Sequence, residues 1–257
     1  MSLEERLLLL LSRKPGAPDY VGTDATEEWN LENALSFLEG AFPGFTEGAA
    51  GKRILDFGCG LGWQVVALAK HGAQLAAGVE INPKWIEEAR ALARRLGVED
   101  RVEFVERLED RFRGRFDVVY SQSSFEHFGD PAAILSQMTA AARPGGQVLI
   151  TFYGPWYSPY GAHMHFFTKV PWVNLLFSEK AVLGVRARFR RDGARRYEEI
   201  ESGLNRMTVA KFDRIVSASG LKVESKNFRC VKRLNLLAKV PLARELFINQ
   251  VSYAMRK

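Results

Sequence analysis

Two acids and three glycines carry the most chemistry in this sequence. Asp56 stands two residues before Gly58, and Gly58-Cys59-Gly60-Leu61-Gly62 is a turn nearly bare of side chains. Eighteen positions beyond Gly62, where the apolar run Leu75 to Val79 ends, comes Glu80. Glycines in a strand–helix turn let a ligand approach the backbone, and the helix they feed aims its N-terminus at the ligand's negative end. A carboxylate closing the next strand suits the two hydroxyls of a ribose. The set points to a cofactor that contains a nucleoside.

Two cofactors compete for that set. A dinucleotide fingerprint places its third glycine one residue later than Gly62, where Trp63 stands here. Asp56 at the strand end would repel a pyrophosphate but can pair with an ammonium. S-adenosylmethionine has an amino group, a carboxylate, a ribose and no phosphate, so it fits better. Over residues 51–153, and more loosely over 207–257, the chain resembles the class I S-adenosylmethionine-dependent methyltransferases. The likeness rests on Ile54-Leu55-Asp56-Phe57-Gly58-Cys59-Gly60-Leu61-Gly62, on Glu80, and on Phe116 to Ser121 as a fourth strand followed by Glu126-His127. It also rests on Arg143-Pro144-Gly145-Gly146 as the turn before a fifth strand.

The resemblance implies that Asp56 binds the cofactor's amino group and that Gly58, Cys59, Gly60 and Gly62 line its methionine portion. It implies that Glu80 holds the ribose, that Ile81 packs on the adenine, and that Ser121 with Gln122 flanks the sulfonium. The family usually has an acid after the third strand for the adenine amino group, but Arg107 stands at that position. Glu106, Glu109 or the Leu108 backbone would have to substitute.

The acceptor side is less defined. His127, His163 and His165 are the candidate bases for an oxygen nucleophile, or else polar loop residues. His163 and His165 have no nearby acid or third histidine, so no metal site is expected. Tyr153, Trp156, Tyr157 and Tyr160 would wall a pocket or anchor a loop to the sheet, with anchoring the safer reading. The chain lacks the Asn/Asp-Pro-Pro-aromatic motif of adenine amino-methylation, having Ser121-Gln122-Ser123-Ser124 instead, and neither cysteine follows strand four as cytosine C5 methylation requires. The expected reaction is O-methylation of a small or lipid-linked anionic molecule. RNA methylation and a non-catalytic S-adenosylmethionine-binding regulator are the alternatives.

The elements that must position these residues alternate. Strands at 53–57, 75–80, 102–106, 116–121 and 147–153 are interleaved with helices at 62–71, 83–96 and 131–142. Alternation of this kind gives right-handed crossovers and a parallel sheet. The resemblance adds the close of the sheet, implying an α/β fold: a Rossmann-like seven-stranded, mostly parallel sheet with an antiparallel last strand and helices on both faces. Residues 1–50 form a helical extension, with Leu7 to Leu11 in an amphipathic helix and a second helix from Glu27 to Phe42 that includes Trp29. The methyltransferase domain is 51–257. Within it, 154–206 is a substrate-cap insertion with an apolar helix from Pro171 to Val182. Thr208 opens the next helix, and Leu221 to Arg229 and Ile248 to Met255 read as strands.

Cys59 and Cys230 are far apart and suit a reducing cytoplasm. The leucine run is too short to span a membrane, and Pro171 to Phe177 is expected under the cap rather than in a lipid surface. Residues 180–257 hold 19 Lys and Arg against 7 Asp and Glu, while the first 179 hold 17 against 23. That asymmetry is either a solvated basic face or a surface that meets something anionic.

Overall fold

The computed structural model describes residues 1–14, 31, 33–200, 203–240 and 244–257. Seven strands make one sheet: β1 (Arg53–Phe57), β2 (Leu75–Val79), β3 (Val102–Val105), β4 (Phe116–Gln122), β5 (Ala142–Tyr153), β6 (Lys222–Cys230) and β7 (Ile248–Arg256). Their spatial order is β3-β2-β1-β4-β5-β7-β6. The first five are parallel, and β7 runs antiparallel to both β5 and β6. The central strands are apolar on both faces because helices cover both. Leu55 and Phe57 join the core on one side and Ile54 the core on the other, the period of two that a strand imposes.

Around the sheet lie α1 (Leu3–Leu10), α2 (Ser36–Ala41), α3 (Trp63–Lys70), α4 (Pro83–Arg95), α5 (Pro131–Ala141), α6 (Val173–Leu176), α7 (Glu179–Arg186) and α8 (Val209–Ala218). Their starts follow capping chemistry. The side chains of Asn82, Asp130 and Thr208 accept from the N–H groups of Lys84, Ala133 and Lys211. Gly62 caps α3 in the left-handed region, at φ 76°.

Three expectations change. The Pro171 to Val182 helix is two helices, because Phe177 is extended and Ser178 caps a new start by accepting from Ala181 N–H. β5 begins at Ala142 rather than 147. Its register jumps from Phe116↔Ala142 to Val118↔Gln147, so Arg143 to Gly146 bulge out where the turn was expected. The leucine run buries a narrower face than expected: Leu8 is buried and Leu9 partly so, while Leu7, Leu10 and Leu11 are exposed. The early part of the Glu27 to Phe42 helix, with Trp29, lies outside the described residues; the described part is the short α2.

Residues from 156 to 204 build a third core around Met164, Phe167, Leu183, Tyr197 and Leu204. α1 contributes Leu8 to it, and Arg13 N–H donates to Phe167 O at 2.8 Å. The Arg186 to Tyr197 stretch is not simply a solvated basic face: Arg186 is buried, and Asp192 receives both its guanidinium nitrogens at 2.6 and 2.5 Å. No described helix is long and apolar enough to cross a membrane.

Candidate functional site

β1 and β4 are neighbours, and both end at the same edge of the sheet with polar groups. Asp56 pairs in register with Tyr120, and Ser121 follows. All three are buried, and the Asp56 Oδ1, the Tyr120 hydroxyl and the Ser121 hydroxyl lack a hydrogen-bond partner. A buried polar atom without a partner costs about 1–3 kcal/mol; Asp56 and Tyr120 share one face of the sheet and act on each other, while Ser121, the next residue of β4, faces the other side. Burial pushes the Asp56 carboxyl up to about 8, and the Glu80 carboxylate adds to the effect. Burial likewise raises the Tyr120 phenol, helped by Asp56.

The glycine corner sits above them. Gly58 N–H and Cys59 N–H donate to Val79 O at 2.8 and 3.1 Å, folding the loop back over β2. At Gly62 a Cβ would fall 2.6 Å from the Ala89 Cβ and 2.9 Å from the Phe104 ring. At Gly60, also left-handed, it would meet nothing within 4 Å, so that position faces open space. Glu80 is buried, with Oε2 accepting from Gly60 N–H at 3.0 Å and Oε1 from Asn82 N–H at 2.9 Å. Asp56, Gly58, Gly60, Gly62, Glu80 and Ser121 are therefore gathered at one sheet edge.

The remaining expected cofactor residues have distinct placements. Cys59 turns its thiol onto Gly78, so only its backbone can face a ligand. Gln122 accepts from Gln64 Nε2–H at 2.9 Å, and the same amide reaches Ala34 O at 3.0 Å. Ile81 is 86% exposed, an uncovered apolar side chain next to Glu80. Leu108 packs against the core, and Glu109 pairs with Arg111 at 2.5 Å on the surface.

The loop after β4 links this corner to a second one. Ser124 Oγ–H donates to Gly58 O at 3.2 Å, and the His127 ring stands edge-on to His163 with centroids 5.3 Å apart. His163 Nε2 lies 3.3 Å from Tyr153 O, a group that can only accept, which assigns the proton of the neutral ring to Nε2. Burial, then the neighbouring His127, lowers the His163 pKa to about 4. His127 Nδ1 sits 2.7 Å from Gly203 O. Glu126 is buried, accepts weakly from Tyr153 N–H at 3.3 Å, leaves Oε2 unpartnered, and is raised in pKa by burial.

Beyond the end of β5 opens a cavity of about 780 Å³, lined among others by Tyr153, His163, His165, Trp172, Lys232 and Phe247. Two of the three candidate histidines thus line it, while His127 stands behind His163. His165 leans on the Tyr160 ring, centroids 4.6 Å apart. The aromatic residues divide their roles. Tyr153 and Tyr160 line the cavity, against the anchoring expectation. Trp156 does anchor, edge-on to Tyr197 at 4.9 Å with Arg206 over its ring.

Lys232, Phe247 and Gln64 had no motif to announce them. Part of the basic excess at the C-terminal end is already paired, with Arg256 on Glu224, Arg206 on Glu179 and Glu198, and Lys226 on Asp213. Among the described residues, no three His, Cys, Asp or Glu side chains cluster to hold a metal ion.

Residues 34–226 match the family profile described as Methyltransferase domain. Over 127 residues the chain is 32% identical to the 27-O-demethylrifamycin SV methyltransferase of Amycolatopsis mediterranei, which covers 48% of this chain and 47% of that protein. Over 104 residues it is 36% identical to the Ubiquinone biosynthesis O-methyltransferase of Xanthomonas axonopodis pv. citri, covering 40% and 43%. The chain spans less than half the length of these curated relatives. Among solved structures, an S-adenosylmethionine dependent methyltransferase from Mesorhizobium loti superposes with a TM-score of 0.58 at 19% identity, over 89% of this chain and 100% of that one.

Proposed function

The chain belongs to the methyltransferase-domain family, and from that premise we propose that it transfers a methyl group from S-adenosylmethionine to an oxygen of a small or lipid-linked, anionic acceptor. The observation that carries the reading is the gathering of buried Asp56, the left-handed glycine corner, buried Glu80 and Ser121 at one sheet edge, with a cavity on the same edge. A cationic amine would satisfy Asp56, a ribose would meet Glu80, and Ile81 offers an apolar platform for a base. The matched relatives named above are O-methyltransferases or a methyltransferase of a demethylated hydroxyl compound, which supports oxygen as the nucleophile.

S-adenosylmethionine supplies an electrophilic methyl on a sulfonium, so the protein's work is alignment, dryness and proton removal. Alignment to roughly 3–3.5 Å between reacting atoms is the largest contribution available. In this reading Gln122, held by Gln64, and Ser121 border the reacting end, while Tyr153 and Trp172 exclude water from the cavity. His163 takes the acceptor's proton at Nδ1, with Nε2–H fixed on Tyr153 O. Lys232 at the cavity wall suits an anionic group on the acceptor.

Calorimetry with S-adenosylmethionine, S-adenosylhomocysteine and a nicotinamide dinucleotide tests the cofactor. Binding of the dinucleotide alone overturns the reading. Transfer of a labelled methyl group to a small extractable product, with none to RNA, separates an enzyme on small acceptors from an RNA methyltransferase and from a regulator that only binds.

A further inference from the structure

Two segments frame the outer rim of the cavity, 169–178 and 231–240, and neither contains an acid. Leu246 and Phe247 join them: Trp172 Nε1–H donates to Leu246 O at 3.2 Å, the Trp172 ring stands edge-on to Phe247, and Val231 N–H donates to Phe247 O at 2.9 Å. In the first, the single turn of α6 follows a left-handed Trp172 and leaves Leu175 and Leu176 in solvent, Leu176 at 64% exposure. In the second, a run of 3-10 turns packs Leu237 and Ala238 against the core and sends Leu234, Leu236 and Val240 outward, Leu236 at 76% exposure. Lys232 and Lys239 are exposed in this second segment, and among the described residues no ion pair holds either. Lys169 is exposed at the start of the first, and Lys180 is exposed just beyond it, after Glu179.

Single apolar residues scattered on a surface need no explanation. Here leucines lead out from the mouth of a largely apolar cavity, with Lys169, Lys232 and Lys239 beside them, while the nearest acids are engaged, Glu4 by Ser178 and Glu179 by Arg206. We propose that this rim seats the protein on an anionic lipid bilayer, with the leucines entering the headgroup region and the lysines meeting phosphates. Apolar burial and attraction to anionic headgroups are the two forces that hold peripheral proteins on membranes. A second copy of this chain is the poorer occupant, because a symmetric contact would press lysines against lysines. With the rim seated, the cavity opens toward the bilayer and a lipid-soluble acceptor enters from it. That route rests on the acceptor reading of the cavity; the docking does not.

The test is flotation of the full chain with phosphatidylcholine vesicles made with and without phosphatidylglycerol. Wild type is expected to float with the anionic vesicles, to stay behind with the neutral ones, and to be released by salt. Leu176→Ser with Leu236→Ser, and separately Lys239→Glu, are each expected to weaken that partition by roughly tenfold or more. Their circular dichroism and S-adenosylmethionine binding should stay at wild-type values. Absence of flotation with anionic vesicles, or equal flotation by the variants, overturns the proposal. So does a wild-type dimer on size exclusion that the leucine variant dissociates while vesicles capture neither. Flotation intact in a protein that does not bind S-adenosylmethionine leaves the docking standing and overturns the functional reading instead.

Discussion

If Asp56 receives a cationic amine, ligand binding must expel a proton. In the unliganded fold the carboxyl sits at about 8, so at pH 6.5 it is almost wholly protonated. An α-amino group with an ordinary pKa of about 7.7–8.0 is mostly cationic at that pH. An opposite charge at close range lowers a carboxyl by roughly 1–3 pH units, which would bring Asp56 to about 5–7. Binding at pH 6.5 should then release between about a quarter and one proton, and affinity should climb with pH toward a plateau near pH 8. Isothermal titration calorimetry in two buffers of different ionisation heat counts that proton. Asp56→Asn should bind more weakly and release none. A wild-type proton count of zero, or an equal count in Asp56→Asn, refutes the pairing.

The same group sets a stability trend. Its folded pKa is raised from 3.8, so its favourable contribution is present below pH 4 and is lost as pH rises through 8. At about 1.4 kcal/mol per pH unit, the loss approaches 5–6 kcal/mol as an upper figure. Urea unfolding of the unliganded protein should therefore show Asp56→Asn gaining on wild type between pH 4 and pH 8.

Further outcomes follow from the geometry of the corner. Glu80→Gln keeps the shape but weakens acceptance from the Gly60 and Asn82 amides, so S-adenosylmethionine affinity should fall roughly 10- to 100-fold; a change under about twofold would show the acid is not used. Gly62→Ala drives a Cβ into Ala89 and Phe104 at a left-handed position, and urea unfolding should register a loss of about 2–4 kcal/mol. Gly60→Ala meets no neighbour and should cost only about 1–2 kcal/mol of fold stability while cutting cofactor affinity, because its methyl enters the ligand's space. With His163 lowered to about 4, the rate at saturating S-adenosylmethionine should be flat between pH 6 and 8 and fall only in acid. An acid limb near pH 6.5, or a profile unchanged in His163→Ala, removes it as the base.

The glycine corner was readable because backbone necessity leaves few residue choices there. The turn from β1 to α3 needs left-handed positions and space, and only glycine satisfies both at Gly58 and Gly62. What the glycine pattern could not reveal is their division of labour, since Gly62 is required by packing and Gly60 faces an open side. The acids at the ends of β1 and β2 were visible from spacing, whereas Gln64 and Ser124, which fix Gln122 and the Gly58 carbonyl, act through long-range contacts. The Pro171 to Val182 stretch reads as one apolar helix because composition does not register a serine cap in its middle. Tyr153 and Tyr160 were placed as anchors because aromatic type does not distinguish a ring that walls a cavity from one buried as Trp156 is.

The reason a basic, leucine-bearing segment stands at the mouth of the cavity is topological. β7 enters the sheet antiparallel between β5 and β6. Its first residues therefore lie at the end of β5, where Gly154 N–H donates to Asn249 O at 2.8 Å. β6 runs with the parallel set, so its last residue, Cys230, arrives at that same edge. The chain between them must turn back there, next to the edge that carries Asp56, Glu80 and Ser121. In a wholly parallel sheet that connection would be a crossover lying over one face, and nothing from it would frame the cavity. One reversed strand thus brings residues 231–240 and 244–247 to the rim that carries the glycine corner, with no motif in those residues to announce the meeting.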